Sequence, residues 1–214
     1  CHDGQGGIFV VWQDHRGADD DIYVNRIDED ASHWSFDGVP VCDAPGYQQY
    51  PMLARSEDGI WVVWEDYRTE ADLYVERVTW GLDMVYDDNG NPLCLATRRQ
   101  QLQEVMSDGG GGLIALWSDE RYDNYYDPYA QRVHRDGYLV WGVGGVPLSL
   151  DHGPEGDLSM TSDGAGGLLC VWADTRNGAD YDVAAQRIED RQQRPPGRAI
   201  LIRPIHFEHH DQRL

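Results

Sequence analysis

The sequence contains no lysine, so its 17 basic side chains are all arginines, against 38 Asp and Glu residues. The formal net charge at pH 7 is −21. A surface this acidic repels phosphate backbones and anionic lipid headgroups. We therefore predict that neither nucleic acid nor an anionic membrane surface is a partner. No apolar run reaches the roughly 18–20 residues that a membrane span requires.

Cysteine is also scarce, and the four cysteines Cys1, Cys42, Cys94 and Cys170 form no CxxC pair. Such scattered thiols indicate neither a disulfide framework nor a particular cellular compartment. Cys1 stands where a start methionine would be expected, which indicates a processed chain or a fragment. One interpretation of Cys1 is a lipid-bearing mature N-terminus.

One long motif occurs four times in the chain. Its copies share Trp-x-Asp-x-Arg, then an Asp, then Arg followed by an apolar residue. The tryptophans that mark the copies are spaced by 52, 53 and 55 residues, at Trp12, Trp64, Trp117 and Trp172. A fixed period of this size is typical of propellers and solenoids. The copies are VVWQDHRGADDDIYVNRI (10–27), VVWEDYRTEADLYVERV (62–78), ALWSDERYDNYYDPYAQRV (115–133) and CVWADTRNGADYDVAAQRI (170–188).

Each copy contains the signals of four short strands. A Gly-rich turn precedes an apolar run such as IWVVW, too short for a helix and too apolar for a strand with one wet face. A polar loop, a second strand and a Gly-x-Pro turn follow, then short strands such as VPVC and YPMLARS. This pattern predicts an all-β fold, a β-propeller built of four blade repeats of about 53 residues. The alternative is a single β-sandwich.

We predict one domain over residues 1–214, with repeats at about 3–49, 50–100, 101–154 and 155–203. The repeat pattern fails in residues 191–214, which carry five Arg and only two acidic residues. In one interpretation RAILIRP (198–204) is the outer strand of the last blade, and PIHFEHH (204–210) closes the ring by joining the first blade. In the other, the segment is foreign and the chain is part of a larger ring.

The joint motif SDGxGG, WxDxR, DIYxQR and GxP resembles the propeller-like repeat arrays of secreted bacterial proteins. The resemblance covers residues 3 to about 190. It implies a propeller fold in a secreted or cell-surface bacterial protein, and it implies no uniform activity.

The repeated Trp, Asp and Arg are predicted to be structural, because a group present in every blade solves a problem common to all blades. Asp accepts backbone N–H groups in its loop, and Arg forks onto a carboxylate of the same or the next blade. These residues are Trp12, Asp14, Arg16, Trp64, Asp66, Arg68, Trp117, Asp119, Arg121, Trp172, Asp174 and Arg176.

Positions that differ between the copies are better candidates for ligand binding. They lie in the loop after the motif tryptophan, on the face where propeller ligands commonly bind, and the alternative is ordinary solvated loop residues. Exposed tyrosines there would stack on sugar rings, and a pair such as Glu65 and Glu120 would hydrolyse a glycoside if held about 5–10 Å apart. The predicted binding-face residues are His15, Glu65, Tyr67, Glu120, Tyr125, Tyr126 and Thr175.

Two groups of residues are candidate metal ligands. Acidic loops supply the oxygens that calcium requires, although their spacing does not match an EF-hand loop and a solvated charge run is the alternative. The candidate calcium ligands are Asp19, Asp20, Asp21, Asp123 and Asp127. His206, His209 and His210 suit a transition metal, or are close together by chance.

From these observations we predict a non-catalytic extracellular binding or scaffold module with a glycan or protein partner. The alternatives are a propeller glycoside hydrolase and a purely structural segment of a larger surface protein.

Overall fold

The computed structural model describes residues 1–32, 34–86, 89–122, 125–150, 155–175, 182–189 and 202–206. Within these residues the chain is all-β and forms fifteen strands without any helix. The strands are β1 (Ile8–Asp14), β2 (Asp21–Ile27), β3 (Val39–Cys42), β4 (Gln48–Arg55), β5 (Gly59–Asp66), β6 (Asp72–Thr79), β7 (Asn91–Cys94), β8 (Gln100–Ser107), β9 (Leu113–Asp119), β10 (Asp127–Val133), β11 (Val146–Pro147), β12 (Glu155–Ser162), β13 (Leu168–Asp174), β14 (Asp182–Ile188) and β15 (Ile202–His206).

The strands form four antiparallel sheets, and each sheet comes from one repeat. Sheet 1 has three strands in the order β1-β2-β3, whereas sheets 2, 3 and 4 have four strands each. Those orders are β4-β5-β6-β7, β8-β9-β10-β11 and β12-β13-β14-β15. The prediction that YPMLARS is the fourth strand of its repeat unit was wrong, because it lies in β4, which pairs with β5 and begins sheet 2. Neighbouring strands in sequence are neighbours in space, so all pairings within a sheet are hairpin-like.

Successive sheets pack face to face, with one apolar cluster between each neighbouring pair. In β5 alternate side chains point to opposite faces of the sheet, so Val62 contributes to the cluster with sheet 1 and Val63 to the cluster with sheet 3. Every residue of β5 and β9 is buried. This burial on both faces is the physical reason why these runs are apolar throughout.

The C-terminal segment contributes one described strand, which lies in sheet 4. β15 pairs antiparallel with β14, with Ile188 opposite Ile202 and Ala184 opposite His206. Residues 204–206, part of the predicted closing strand, therefore lie on the edge of sheet 4 and do not pair with β1. The rest of PIHFEHH, residues 207–210, lies outside the described residues. No helix in the described part of the chain has the length and apolar character to cross a membrane.

Candidate functional site

The motif loops all lie at one end of the sheets, which we call the motif end. It is formed by the last residues of β1, β5, β9 and β13, the described parts of the loops that follow β1, β5 and β9, and the first residues of β4, β8 and β12. The register shows this directly, since Asp66 at the end of β5 lies between Gln48 at the start of β4 and Asp72 at the start of β6.

The Asp of the motif is held by its own loop. Asp66 is completely buried, and its Oδ1 accepts hydrogen bonds from the backbone N–H and the Nε of Arg68 at 3.0 and 2.8 Å. Its Oδ2 accepts from Arg68 Nη2 at 2.6 Å and from Trp64 Nε1 at 2.9 Å. Asp119 makes the same four bonds with Arg121 and Trp117. The carboxylates are thus saturated by structural donors.

The Arg of the motif also ties the loop to the Gly-x-Pro turn of the same sheet. Arg68 Nη2 donates to the carbonyl of Asn89 at 3.1 Å, and its guanidinium lies 4.1 Å from the ring centroid of Tyr74. Arg121 donates to the carbonyl of Gly144 at 2.8 Å and stacks on Tyr129. These contacts stay within one sheet. Arg176 lies outside the described residues.

A second Asp–Arg pair occurs at the opposite end of the sheets, and the sequence reasoning missed it. Asp108 in the Gly-rich turn accepts from the backbone N–H groups of Gly110 and Gly112, both at 2.7 Å. It also accepts from Arg132 Nε at 2.8 Å and from Nη2 at 2.7 Å. The signal was present, because both the turn Asp and the Arg of DIYxQR recur in the copies. The equivalent pairs are Asp3–Arg26 and Asp163–Arg187.

The variable motif-end residues form two hydrogen-bonded groups. The first group lies between sheets 1 and 2 and is centred on Asp20. The carboxylate of Asp20 accepts from Gln13 Nε2 at 2.7 Å and from Gln49 Nε2 at 2.5 Å, and it pairs with His15 Nδ1. The hydrogen bond from Gln49, followed by those from His15 and Gln13, keeps the pKa of Asp20 below its usual value despite partial desolvation. His15 remains largely exposed.

The second group lies between sheets 2 and 3 and is centred on Glu65. Glu65 is 1% exposed and accepts from Tyr67 Oη at 2.7 Å and from the backbone N–H of Leu102 on β8 at 3.1 Å. Arg99 Nη2 lies 3.7 Å from Glu65 Oε2 and 3.4 Å from Tyr67 Oη. Burial raises the pKa of Glu65, because these partners only partly offset the loss of hydration. Burial and the adjacent carboxylate raise the pKa of Tyr67 to about 12.

Arg99 extends the second group to sheet 3. The phenol of Tyr126 lies within the electrostatic influence of Glu120 and Arg99, and burial followed by the charge of Glu120 raises its pKa. The structure thus brings four predicted residues into one network, Glu65, Tyr67, Glu120 and Tyr126, and places His15 in the other group. Arg99 itself was not predicted. Arg99 immediately precedes the buried Gln100, and Tyr47 immediately precedes the equivalent buried Gln48. Alignment of the repeats therefore marks Arg99 as a residue of the motif end.

Exposed tyrosines surround these groups at the motif end. Tyr122 is 69% exposed beside the motif Arg121, and Tyr125 is 44% exposed in the same loop. Tyr47 is 50% exposed, and its carbonyl accepts the backbone N–H of Tyr67 at 2.8 Å. Tyr50 is 54% exposed, and it lies where the pairing of β4 with β5 shifts register. This end therefore presents aromatic faces next to carboxylate, amide and guanidinium groups.

In the part of the chain that the structure describes, no three His, Cys, Asp or Glu side chains converge as metal ligands. Asp19 Oδ2 accepts from the backbone N–H of Gly46 at 3.1 Å. Burial and the neighbouring carboxylates raise the pKa of Asp21. Asp123, His209 and His210 lie outside the described residues, and only the backbone of His206 is described. The calcium and transition-metal sites therefore stay predictions.

Compared with known proteins, the chain matches no protein-family model and no curated protein. The resemblance to propeller-like repeat arrays of secreted bacterial proteins thus stays a prediction.

Proposed function

We propose that this chain is a non-catalytic, secreted or cell-surface bacterial binding module, a β-propeller of four blade repeats that binds glycan at its motif end. The propeller is supported by the one-repeat-one-sheet arrangement and by the face-to-face packing of consecutive sheets. The binding proposal is the same for a ring closed by four blades and for a larger ring.

The observation that carries the glycan proposal is the combination of four exposed tyrosines with the accessible members of two polar groups at one end of the sheets, which include His15 and Arg99. Sugar rings stack on aromatic faces, and their hydroxyls exchange hydrogen bonds with carboxylate, amide and guanidinium groups. The residues that supply these groups vary between the copies, whereas the motif residues beside them are constant. Because the net charge is −21, we propose neutral or cationic glycans as ligands, and uronic-acid or sulfated polymers as non-ligands.

The hydrolase alternative is less well supported by this geometry. A glycosidase needs a carboxylic acid and a second carboxylate that both reach the glycosidic bond. Glu65 is almost completely buried, and its carboxylate is occupied by Tyr67 and Leu102. Such a group is better suited to joining sheets 2 and 3 than to meeting a substrate.

The experiment is a binding screen of the whole chain against neutral, cationic and anionic polysaccharides, followed by calorimetry on any ligand found. Tyr122→Ala and Tyr125→Ala should each weaken binding, since one stacked ring is lost. The matched control is Tyr138→Ala, because Tyr138 is 56% exposed but lies at the opposite end. Binding that is equally weakened by all three substitutions, or absent for every polymer, would refute the proposal.

Two further measurements separate the alternatives. Release of reducing ends, abolished by Glu65→Gln or Glu120→Gln, would identify a hydrolase. A melting temperature that does not change with excess chelator would remove the calcium prediction, because a ligand that binds only the folded state raises its stability.

A further inference from the structure

A cavity of about 520 Å³ lies at the end of sheets 2 and 3 opposite the motif end, which we call the turn end. Its described lining comes from the turn between β4 and β5 and from the turn between β8 and β9. Cavities of about 300–1,000 Å³ commonly hold small molecules. The lining residues are Arg55, Ser56, Glu57, Ser107 and Gly109 to Gly111.

The two turns that form the cavity are fixed to each other. Trp61 Nε1 on β5 donates to the carbonyl of Gly111 in the turn of sheet 3 at 3.0 Å. Glu57 packs against the same glycine, because a Cβ added to Gly111 would lie 3.4 Å from that of Glu57. The carboxylate of Asp108 holds the turn of sheet 3 through the N–H groups of Gly110 and Gly112. The walls of the cavity are therefore preformed.

Sheet 2 departs from the repeat at this cavity, because it has an arginine where sheets 3 and 4 have serine. The last residue of the strand before the turn is Ser107 in β8 and Ser162 in β12, whereas in β4 it is Arg55. The register confirms that the three positions are equivalent, since each lies opposite the first apolar residue after its turn. The pairs are Arg55–Ile60, Ser107–Leu113 and Ser162–Leu168.

The next residue of sheet 2 differs from the repeat as well. Ser56 donates its N–H to the carbonyl of Gly59, as the turn residue Asp108 does to that of Gly112. Ser56 therefore occupies the position of the turn Asp. The two replacements remove one carboxylate from the cavity wall and add one positive charge.

Arg55 has no ionic partner in the described part of the chain, although its neighbours are paired. Arg77 donates from Nε to Asp58 Oδ1 at 3.0 Å, and Arg135 Nη1 lies 3.8 Å from Glu57 Oε2. No carboxylate of the described residues lies within 4 Å of the Arg55 guanidinium. In a chain with 38 acidic residues and 17 arginines, such an arginine at a cavity is available to a carboxylate supplied by a ligand.

We propose that this cavity binds a small monocarboxylate, with Arg55 as the residue that pairs with its charge. A planar guanidinium forms two parallel hydrogen bonds with a carboxylate. Ser107 Oγ accepts the N–H of Gly109 at 3.3 Å, which leaves its hydroxyl hydrogen to donate to the ligand. A doubly charged anion is disfavoured, because the site offers one arginine in a chain of net charge −21. The site is at the turn end, so it is independent of the proposed glycan site.

The test is an NMR titration of the isotopically labelled whole chain with acetate and with lactate, at constant ionic strength. The signals followed are the amides of Gly109, Gly110 and Gly111. We expect saturable shifts at these glycines with a dissociation constant in the millimolar range. The neutral amides acetamide and lactamide have nearly the same shape, and they should cause no saturable shift. Shifts that stay linear with the concentration of both acids would overturn the proposal.

Substitutions at Arg55 test which group carries the binding. Arg55→Gln should weaken lactate binding at least about tenfold, because charge-assisted hydrogen bonds are lost. Arg55 is exposed and has no ion pair to lose, so the melting temperature should stay the same. Arg55→Lys keeps the charge without the planar fork and should have an intermediate effect.

The matched control is Arg135→Gln, which changes the net charge equally at the same end of the sheets. The Arg135 side chain is 57% exposed and does not line the cavity, so its loss should weaken lactate binding much less. Equal losses in the Arg55 and Arg135 variants would indicate general electrostatic attraction and would overturn the proposal. Tyr122→Ala, at the motif end, should leave lactate binding unchanged even if it abolishes glycan binding.

Sulfate is the competing ligand, because it is a doubly charged anion that arginine also binds. Weaker binding of sulfate than of lactate at the same ionic strength is the expected result. Saturable shifts of the same glycines at equal or lower sulfate concentration would identify a general anion site. That outcome would also overturn the assignment to monocarboxylates.

Discussion

The guanidinium of Arg68 and the carboxylate of Asp66 face each other through two side-by-side hydrogen bonds, Nε to Oδ1 at 2.8 Å and Nη2 to Oδ2 at 2.6 Å. Charge-assisted pairs of this bidentate form are stronger than single neutral hydrogen bonds. The Asp66 side chain has no exposed surface, and that of Arg68 is 25% exposed. Loss of the carboxylate charge would therefore leave a largely buried guanidinium without its anionic partner.

The substitution Asp66→Asn should lower the free energy of unfolding by about 3 kcal/mol, the usual cost of breaking a buried ion pair from one side. Asp14→Asn is the matched control in sheet 1. There the Asp side chain is 11% exposed and that of Arg16 is 42% exposed, so water compensates and the loss should be smaller. Urea unfolding followed by tryptophan fluorescence measures both. Equal losses would show that burial does not determine the strength of this pair.

The glycine of the Gly-x-Pro turn is required by the motif tryptophan. A Cβ on Gly145 would lie 2.3 Å from Cη2 of Trp117 and 2.7 Å from the carbonyl oxygen of Ala130. Gly109 has nearly the same backbone conformation, since its φ is +79° and that of Gly145 is +77°. A Cβ added to Gly109 would have no atom within 4 Å. Gly109→Ala should thus cost only the strain of positive φ, about 1 kcal/mol. Gly145→Ala should cost about 1–3 kcal/mol more, because the ring must move. Equal urea midpoints would contradict this.

The buried thiols should be unreactive even though arginines lie beside them. Arg68 Nη2 lies 3.4 Å from the Sγ of Cys42, and Arg121 Nη2 lies 3.3 Å from the Sγ of Cys94. Desolvation outweighs these charges and raises the pKa of Cys42 to about 12 and that of Cys94 to about 11. At pH 8 a disulfide reagent should therefore label only the exposed Cys1 rapidly, and Cys1→Ser should abolish that phase. Rapid labelling of a second thiol would contradict the burial of these groups.

The repeat period predicted the all-β chain and its four antiparallel sheets, because the alternation of strands and turns is encoded in neighbouring residues. DIYVNRI is β2 and VPVC is β3 to the residue. The motif end was less predictable, since its groups join residues far apart in the sequence. The hydrogen bond from Leu102 to Glu65 spans 37 residues, and Arg99 belongs to no motif. The C-terminal segment was predicted correctly only as a strand of the last sheet, because residues 204–206 continue that strand and do not start another.

Glu76 occupies a position where the other sheets have an amide. Its Oε1 accepts the backbone N–H groups of Arg77, Val85 and Tyr86 at 2.7, 3.1 and 3.0 Å, while Oε2 is buried without a partner. In sheet 3 the equivalent Gln131 accepts two N–H groups through Oε1 and also donates from Nε2 to the carbonyl of Gly142. Glu76 therefore has an acceptor where its counterpart has a donor. Burial raises the pKa of Glu76 from its ordinary value of 4.5.

A raised pKa in the folded state means that the folded chain binds more protons than the unfolded chain over the interval between the two pKa values. Stability due to Glu76 is thus present below about pH 4.5 and is lost as pH rises toward the folded-state pKa. Glu76→Gln should remove this dependence and raise the free energy of unfolding at pH 7 by about 1–2 kcal/mol. The reverse change Gln131→Glu should destabilise sheet 3 at pH 7, with recovery at pH 4.5. Urea titrations of both variants at the two pH values measure this, and a Glu76→Gln variant less stable than the parent at pH 7 would contradict it.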